Sequence, residues 1–310
     1  MVSGGAGFIG SHLCDRLLAE GHTVVAVDDL STGRIANLAE ARGYGQKFTF
    51  FNLDVRSDGI MQLFERHEPE VVMHLAAQSS VAVSAQDPAL DADINIMGLV
   101  NVLECAARSD ARKVVFAASG GTLYGEARKF PLKETSAAKS RPVSPYGISK
   151  KAAIEYLDFY GRFRGLDWTA LALGNVYGPR QDPSGEAGVV AIFAQSMLAG
   201  ESPTIFGDGN QTRDYVFVDD AVHAFALAIG AGDGKLLNIG TGVETSVNRI
   251  YKLVADRVGF LHEPEMGPPR PGDLRRCALD SEAAAKAIGW KPWTHVEDGI
   301  AETVAFLRGV

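Results

Sequence analysis

The chain has 310 residues, of which 46% are hydrophobic and 22% charged, as expected for a globular protein with a sizeable core. The net charge of −8 and the lack of any Lys or Arg run argue against nucleic acid or anionic lipid, so we expect a small-molecule partner. No apolar run approaches the roughly 18 residues that span a bilayer, and no signal peptide is recognisable, so we expect no membrane segment and a cytoplasmic location.

The cysteine and histidine patterns predict no metal site. Cys14, Cys105 and Cys277 are odd in number and widely spaced, which fits neither a disulfide framework nor a zinc site. The seven histidines show no metal-ligand spacing. We therefore predict reduced thiols and no bound metal.

Apolar strands alternate with helical stretches in the first part of the chain. We predict strands within residues 22–29, 47–55, 70–77 and 112–119, and a further strand within 167–179. Nearly continuous apolar strands separated by helices indicate a parallel sheet covered on both faces. The predicted fold class is therefore α/β, with a Rossmann-like doubly wound parallel sheet.

The composition changes after the last of these strands, where Gly and Pro become dense. We predict a nucleotide-binding domain over residues 1–173 and a smaller C-terminal α/β substrate domain over 174–310. The segment around 214–241 is a candidate to pack back on the first domain. At the other end only two residues precede a glycine-rich loop, so we expect a first strand that lacks residues or a misassigned start.

The loop "SGGAGFIGSHL" carries Gly4, Gly7 and Gly10 in the pattern GxxGxxG, where the first strand would meet the first helix. Such glycines let the backbone turn sharply and approach a pyrophosphate, whose charge then lies at the helix N-terminus. Asp28 ends the second predicted strand 18 residues beyond Gly10, near the position of a carboxylate that binds the adenosine ribose. Such a carboxylate would repel a 2′-phosphate, so we predict NAD rather than NADP.

The stretch "SPYGISKK" predicts a helix start, with Ser144 as the cap and Pro145 in the first turn. Tyr146 and Lys150, four residues apart, would then share one face. A cation near a phenol lowers its pKa, and the phenolate can take a proton from an alcohol near neutral pH. A surface Tyr and Lys at this spacing are more often solvent-facing neighbours, so the pair alone leaves both interpretations open.

Several motifs together resemble a known family: "GGAGFIG", "HLAAQSSV", "SPYGISK", "GNVYGPRQDPSGEAGVVAIF", "FGDGNQTRDYVFVDD" and "RPGDLRRCALD". The chain is similar to the extended short-chain dehydrogenase/reductases of the NAD-dependent epimerase/dehydratase type, most specifically the bacterial UDP-glucose 4-epimerases. The resemblance covers essentially the whole chain. It implies a 4-epimerase of UDP-sugars in which bound NAD takes hydride from C4 and returns it to the other face of the 4-keto sugar.

By this resemblance Tyr146 is the catalytic acid/base, and Lys150 lowers its pKa and holds the nicotinamide ribose. The residues expected to bind NAD are Gly4, Gly7, Phe8, Ile9, Gly10, Asp28, Asp29, Ser31, Gly33, Asp54, Val55, Leu75, Ala76, Ala77, Asn95, Tyr146 and Lys150. An ordinary helix asparagine would look the same as Asn95, so its assignment stays open here.

The family carries a third catalytic group, a Ser or Thr that precedes a Tyr-Gly pair, and the matching text is "AASGGTLYG". The usual position, four residues before the Tyr, is Gly120; Ser119 lies one residue earlier and Thr122 two later. Relatives with a Ser-Gly-Gly or Thr-Gly-Gly sequence place the hydroxyl at the Ser119 position. We therefore predict Ser119 as the third catalytic residue.

The resemblance also implies a UDP-sugar site. Its expected residues are Ser119, Tyr146, Asn175, Val189, Val190, Phe206, Arg213, Arg270, Asp273 and Cys277. In the family, the matching Asn and the two Arg positions meet the diphosphate, the Phe lies beside uracil, the Asp binds the ribose, and backbone groups at the two Val positions read the base. Cys277 is small where relatives with a bulky Tyr exclude N-acetylated sugars, so we expect a permissive pocket.

Three other functions share parts of this pattern. A nucleotide-sugar 4,6-dehydratase needs an Asp-Glu pair beside the catalytic hydroxyl, where this chain has Gly120 and Gly121. A UDP-glucuronate 4-epimerase differs mainly in a pocket for the C6 carboxylate, and no single residue decides it. A non-catalytic NAD-binding sensor would be expected to lack the Tyr or the Lys. The family commonly forms homodimers through helices matching residues 94–108 and 146–163, so we expect a homodimer.

Overall fold

The computed structural model of the protein describes residues 1–127, 129–183, 188–270 and 274–309. The strands of this part of the chain are β1 (Val2–Ser3), β2 (Val24–Asp28), β3 (Phe48–Asn52), β4 (Val71–His74), β5 (Lys113–Ser119), β6 (Asp167–Leu173), β7 (Asn175–Tyr177), β8 (Thr204–Phe206), β9 (Thr212–Arg213), β10 (Tyr215–Phe217), β11 (Lys235–Ile239), β12 (Thr245–Ser246) and β13 (Glu265–Gly267).

The α-helices are α1 (Phe8–Ala19), α2 (Ala39–Arg42), α3 (Gly59–His67), α4 (Val81–Gln86), α5 (Pro88–Ala92), α6 (Gly98–Arg108), α7 (Gly120–Leu123), α8 (Pro145–Arg164), α9 (Val189–Leu198), α10 (Val218–Ala228), α11 (Val247–Val258), α12 (Glu282–Ile288) and α13 (Val296–Arg308). A π-helical turn, Asp93–Met97, joins α5 to α6. No helix in the described ranges is long and apolar enough to cross a membrane.

Seven strands form one parallel sheet in the order β11-β6-β5-β4-β1-β2-β3. The α/β, Rossmann-like fold class is therefore confirmed. The strand predicted within 167–179 is β6, and it ends before Gly174, whose N–H donates to the carbonyl of Ile239 at 2.8 Å. The chain leaves the sheet there, and β7 pairs with β10 instead.

Helices cover both faces of this sheet because successive strand residues point to opposite sides. On β2, Val24 and Ala26 belong to one buried cluster, which includes Leu13 of α1. Val25 and Val27 belong to the other cluster, which includes residues of α3, α6 and α8. Burial on both faces explains why the strands read as continuous apolar runs.

Part of the second half of the chain joins the first sheet. The strand β11 pairs in parallel with β6, and α10 packs against α1. The other strands of the second half form three two-stranded sheets: β7 with β10, β8 with β13, and β9 with β12. The boundary near residue 173 stays a prediction.

Candidate active site

The glycine loop between β1 and α1 is held by close backbone contacts. Gly4 has a φ of +70°, and a Cβ there would lie 2.7 Å from the backbone nitrogen of Ala76. A Cβ on Gly10 would overlap the carbonyl oxygen of Gly4, so glycine lets α1 approach the loop. Gly7 is the N-cap of α1 without a capping side chain, and the first turn carries no acidic residue. The N–H groups and dipole of this helix end therefore suit a phosphate group.

Asp28 ends β2 beside this loop and is buried. Its Oδ2 accepts a hydrogen bond from the Ala6 N–H at 3.0 Å, and its Oδ1 accepts one from the Leu30 N–H at 2.9 Å. Burial raises the pKa of Asp28, and these backbone donors oppose the rise. A Cβ on Gly33 would lie 2.6 Å from the Asp28 carboxylate, so a glycine is needed there. Each carboxylate oxygen can accept a further bond, as ribose hydroxyls would require.

The other predicted cofactor residues follow the carboxyl ends of the strands or open α1. Asp29 accepts hydrogen bonds from the N–H and hydroxyl of Ser31 at 2.9 and 2.7 Å on an exposed loop. Asp54 follows β3 and pairs with Arg56, which lowers the pKa of Asp54. Further predicted positions are Phe8 and Ile9 at the start of α1, buried Val55, and Leu75, Ala76 and Ala77 directly after β4. Asn95, by contrast, is buried in the π-helical turn Asp93–Met97, and its role in cofactor binding stays a prediction.

The helix α8 begins as the sequence predicts. The Ser144 hydroxyl accepts a hydrogen bond from the Gly147 N–H at 3.1 Å, and Pro145 is the first helical residue. Tyr146 and Lys150 lie in the first two turns, and Lys150 is 3% exposed. The interpretation of this pair as solvent-facing neighbours is therefore wrong.

Lys150 reaches from α8 to the end of β5. Its ammonium donates to the carbonyl of Ala117 at 2.9 Å and lies 4.6 Å from the centroid of the Phe116 ring and 5.7 Å from that of the Tyr146 ring. Burial lowers the pKa of Lys150 to about 8, and the negative charge of Asp91 opposes this change.

The pKa of Tyr146 is raised in this structure, whereas the resemblance implies that Lys150 lowers it. Burial raises the pKa of Tyr146 to about 12, Asp91 adds to the rise, and a hydrogen bond with Ser119 opposes it. The cost of burying a phenolate is the largest of these effects. At neutral pH the phenol keeps its proton here.

Ser119 is the hydroxyl that the fold brings to Tyr146. It is the last residue of β5, and its side chain shares a hydrogen bond with the Tyr146 phenol. The hydroxyl of Thr122 is buried without a hydrogen-bond partner among the described residues. The geometry thus favours Ser119, and its catalytic role stays a prediction.

A cavity of about 460 Å³ lies where the base and ribose of a nucleotide were expected. The Arg270 guanidinium carbon lies 4.1 Å from the centroid of the Phe206 ring, a cation–π arrangement. Arg275 pairs with Asp208 through two hydrogen bonds of 2.7 and 2.8 Å, which lowers the pKa of Asp208. The lining residues are Phe206, Gly207, Asp208, Gln211, Gly267, Pro269, Arg270, Leu274 and Arg275. Asp273, the predicted ribose ligand, lies outside the described residues.

The remaining predicted substrate residues lie on separate elements. Asn175 opens β7, and its Oδ1 lies 3.7 Å from where a Cβ on Gly121 would stand, so it is close to the Ser119 turn. Arg213 donates to the carbonyl of Thr212 at 2.7 Å and makes further interactions. Val189 and Val190 are the first residues of α9, where backbone N–H groups are available.

Cys277 is buried, 1% exposed, with its Sγ 3.8 Å from the carbonyl oxygen of Gly120. It therefore packs directly behind the turn that follows Ser119. Burial raises the pKa of this thiol to about 11, so it is protonated at neutral pH.

Sequence reasoning missed two buried groups beside the catalytic helix. Asp91 in α5 accepts a hydrogen bond from the hydroxyl of Ser149 in α8 at 2.6 Å. Both are polar residues in stretches whose sequence predicts an ordinary helix. Their burial depends on how α5 packs against α8. No spacing rule would have paired two residues 58 positions apart.

Comparison with known proteins places the chain in a family. Residues 1–240 match the model of the NAD dependent epimerase/dehydratase family. The chain belongs to this family. It is 50% identical over 309 residues to a UDP-glucose 4-epimerase of Mycolicibacterium smegmatis, covering 99% of this chain and 98% of the relative.

Solved structures of family members have the same fold. The UDP-glucose 4-epimerase of Thermotoga maritima, solved with UDP-glucose, superposes with a TM-score of 0.95 at 46% identity, covering 99% of this chain and 98% of that one. That of Thermus thermophilus, solved with NAD, gives a TM-score of 0.92 at 42% identity, covering 100% and 98%.

The residues present fit the NAD of the family. A Cβ at Gly4 or Gly10 would fill the space in the glycine loop between β1 and α1, which we call the glycine cradle. No side chain caps the N-terminus of α1, and the Asp28 carboxylate lies beside the loop. A pyrophosphate and a ribose diol match these three features in charge and hydrogen bonding.

The hydrogen bond between Ser119 and Tyr146 leads to a first prediction. Ser119→Ala should lower kcat about 10-fold or more, because it removes a positioned hydrogen bond at the reacting proton. Steady-state kinetics measure the effect, with Thr122→Ala as the matched loss of a hydroxyl one turn away. Unchanged turnover in Ser119→Ala would remove Ser119 from the catalytic group.

Proposed function

We propose that this protein is an NAD-dependent 4-epimerase of UDP-sugars that interconverts the gluco and galacto forms, as in galactose metabolism. The observation that carries the proposal is the convergence of Ser119, Tyr146 and Lys150 at the carboxyl end of β5, the same end of the parallel sheet at which the glycine loop follows β1. The 50% identity to a UDP-glucose 4-epimerase over nearly the full chain supports it.

In this mechanism the chain moves one proton. NAD, when bound, supplies the hydride acceptor for C4 and a positive charge that favours the phenolate of Tyr146. Tyr146 takes the proton of the 4-hydroxyl and returns it to the same oxygen when hydride is returned to the other face of C4. Ser119 hydrogen-bonds the same phenol, and Lys150, fixed to Ala117, keeps a cation close to it.

The residues of the turn after Ser119 favour epimerisation over dehydration. Elimination across C5 and C6 needs an acid and a base beside the sugar, and Gly120 and Gly121 cannot supply either. A Cβ on Gly120 would lie 3.0 Å from the carbonyl oxygen of Leu173, so a larger residue would not fit without rearrangement. The dehydratase alternative therefore lacks its chemistry here.

NMR of three substrates tests the proposal. The purified protein is incubated without added cofactor with UDP-galactose, UDP-N-acetylgalactosamine or UDP-galacturonate. Conversion of UDP-galactose to UDP-glucose is expected, and preference for UDP-galacturonate would instead establish a uronate epimerase. No conversion of any of the three, with or without added NAD, would contradict the proposal.

Cys277 is a small residue behind the turn that follows Ser119, and its size supports a sugar pocket that accepts N-acetylated sugars. We expect measurable turnover of UDP-N-acetylglucosamine, and Cys277→Tyr should lower it about 10-fold relative to UDP-glucose, because added bulk narrows the pocket. Cys277→Ser is the control that keeps the volume. Absence of turnover of UDP-N-acetylglucosamine by the unchanged protein would refute the permissive pocket.

A cytoplasmic location is supported by the three cysteines, which are buried free thiols.

A homodimer is the proposed assembly. The helix α8 exposes Ile148, Phe159 and Phe163, and Met97 is exposed at the start of the neighbouring helix α6. Phe159 and Phe163 have ring centroids 5.2 Å apart and form a continuous apolar surface.

This surface predicts a change of assembly. Phe163→Glu should shift the protein to monomer in sedimentation velocity, because it places a charge in the proposed interface. Leu261→Glu is the matched control, since Leu261 is 94% exposed on another part of the molecule. A dimer that persists in Phe163→Glu would locate the interface elsewhere.

A further inference from the structure

A buried polar cluster lies beside the catalytic helix and is not part of the reaction as described. We call Gln78, Asp91, Asn95 and Ser149 the Asp91 cluster. Asp91 is 1% exposed, Asn95 4% and Ser149 5%. Asp91 Oδ1 accepts hydrogen bonds from the side-chain amides of Gln78 and Asn95, both at 2.9 Å, and its Oδ2 accepts the Ser149 hydroxyl at 2.6 Å.

One end of the cluster holds the loop after β4. The Asn95 side chain accepts the Gln78 backbone N–H at 3.0 Å and donates to the Gln78 carbonyl at 2.9 Å. The Gln78 side chain in turn accepts the Ser80 N–H at 2.5 Å and donates to the Ser80 carbonyl at 2.9 Å. The loop that begins with the predicted cofactor residues Leu75 to Ala77 is therefore fixed through side chains.

The other end of the cluster holds α8. Ser149 lies three residues after Tyr146 and directly before Lys150. Residues three apart share a helix face, so an anchor at Ser149 fixes the rotation of the helix that presents Tyr146. A hydroxyl donating to a carboxylate is a short, charge-assisted bond, stronger than one between neutral groups.

The backbone supports the same conclusion. The π-helical turn Asp93–Met97 widens the helix immediately after Asp91 and contains Asn95. Such turns are uncommon and often lie at functional sites. The three described side chains that hydrogen-bond the Asp91 carboxylate all donate to it, so both of its oxygens are satisfied.

We propose that Asp91 is a positioning residue that links the cofactor-side loop after β4 to the catalytic helix α8, so that Tyr146 and Lys150 are held in register with that loop. This inference rests on the proposed function for its kinetic consequence. The link itself is a property of the fold and is tested separately.

Hydrogen exchange tests the link without reference to activity. Ser149→Ala removes only the bond to α8, yet it should increase exchange of the Gln78 and Ser80 amides at least about 5-fold, because their acceptors belong to the cluster or to Gln78. Ser109→Ala, at the end of α6, is the matched control and should leave these amides unchanged. Unchanged exchange in Ser149→Ala would overturn the link.

Kinetics test the positioning role. Asp91→Ala should lower kcat about 10-fold with KM for the UDP-sugar changed less than about 2-fold, since misplacement affects the reacting geometry more than binding. Asp91→Asn keeps an acceptor for Gln78 and Asn95 and should retain most of kcat, and Asp87→Asn at the exposed N-cap of α5 is the control. Normal kcat in Asp91→Ala would overturn the role even if exchange changes. If the unchanged protein epimerises no UDP-sugar, the proposed function fails while exchange still decides the link.

Discussion

Tyr146→Phe is expected to lower kcat for UDP-galactose by about 1,000-fold, the largest effect of any single substitution, since general acid–base catalysis contributes about 10² to 10⁴. The variant keeps the ring and loses only the oxygen that shares a hydrogen bond with Ser119. KM should change little, because the phenol acts on the reacting proton.

Tyr160→Phe is the matched control for this experiment. Tyr160 is a second tyrosine of α8; it is buried, and its phenol donates to Glu104 at 2.5 Å. The control should retain turnover and report any general effect of losing a phenol from this helix. Comparable losses in the two variants would point to helix stability rather than catalysis at Tyr146.

Lys150→Met is expected to lower kcat by about 100-fold, because it removes the cation that stabilises a phenolate in a buried site. Lys151→Met, one position along and bonded to the carbonyl of Ser140, is the control and should be close to the unchanged protein.

Lys150→Met should also change how the free energy of unfolding depends on pH. Burial lowers the pKa of Lys150 to about 8, below its ordinary value of 10.5, so the unfolded chain binds more protons between these pH values. This residue's contribution to the free energy of unfolding therefore rises as the pH increases from about 8 to 10.5. Denaturant unfolding across that range should lose this rise in Lys150→Met and keep it in Lys151→Met. An unaltered pH dependence would mean that Lys150 is not buried as described.

Much of the fold follows from local sequence. The segments 22–29, 70–77 and 112–119 each contain an observed strand, because most of their strand residues are buried and the strands therefore read as apolar runs. The start of α8 was equally readable, since a capping Ser and a following Pro act within one turn.

The parts that were not predicted depend on contacts distant in sequence. The raised pKa of Tyr146 depends first on the burial of its phenol, which residue spacing cannot give, and the lowering by Lys150 stays a prediction. The Asp91–Ser149 bond joins helices from two parts of the chain through packing. The end of β6 before Gly174 depends on Ile239 of β11.

Deuterium tracing tests the central claim most directly. UDP-galactose carrying deuterium at C4 is converted in ordinary water, and the label at C4 of the product UDP-glucose is measured by NMR. Internal hydride transfer with Tyr146 moving only the hydroxyl proton predicts complete retention of the label. Exchange of the label for solvent hydrogen would contradict the account, because it would require removal of the C4 hydrogen as a proton.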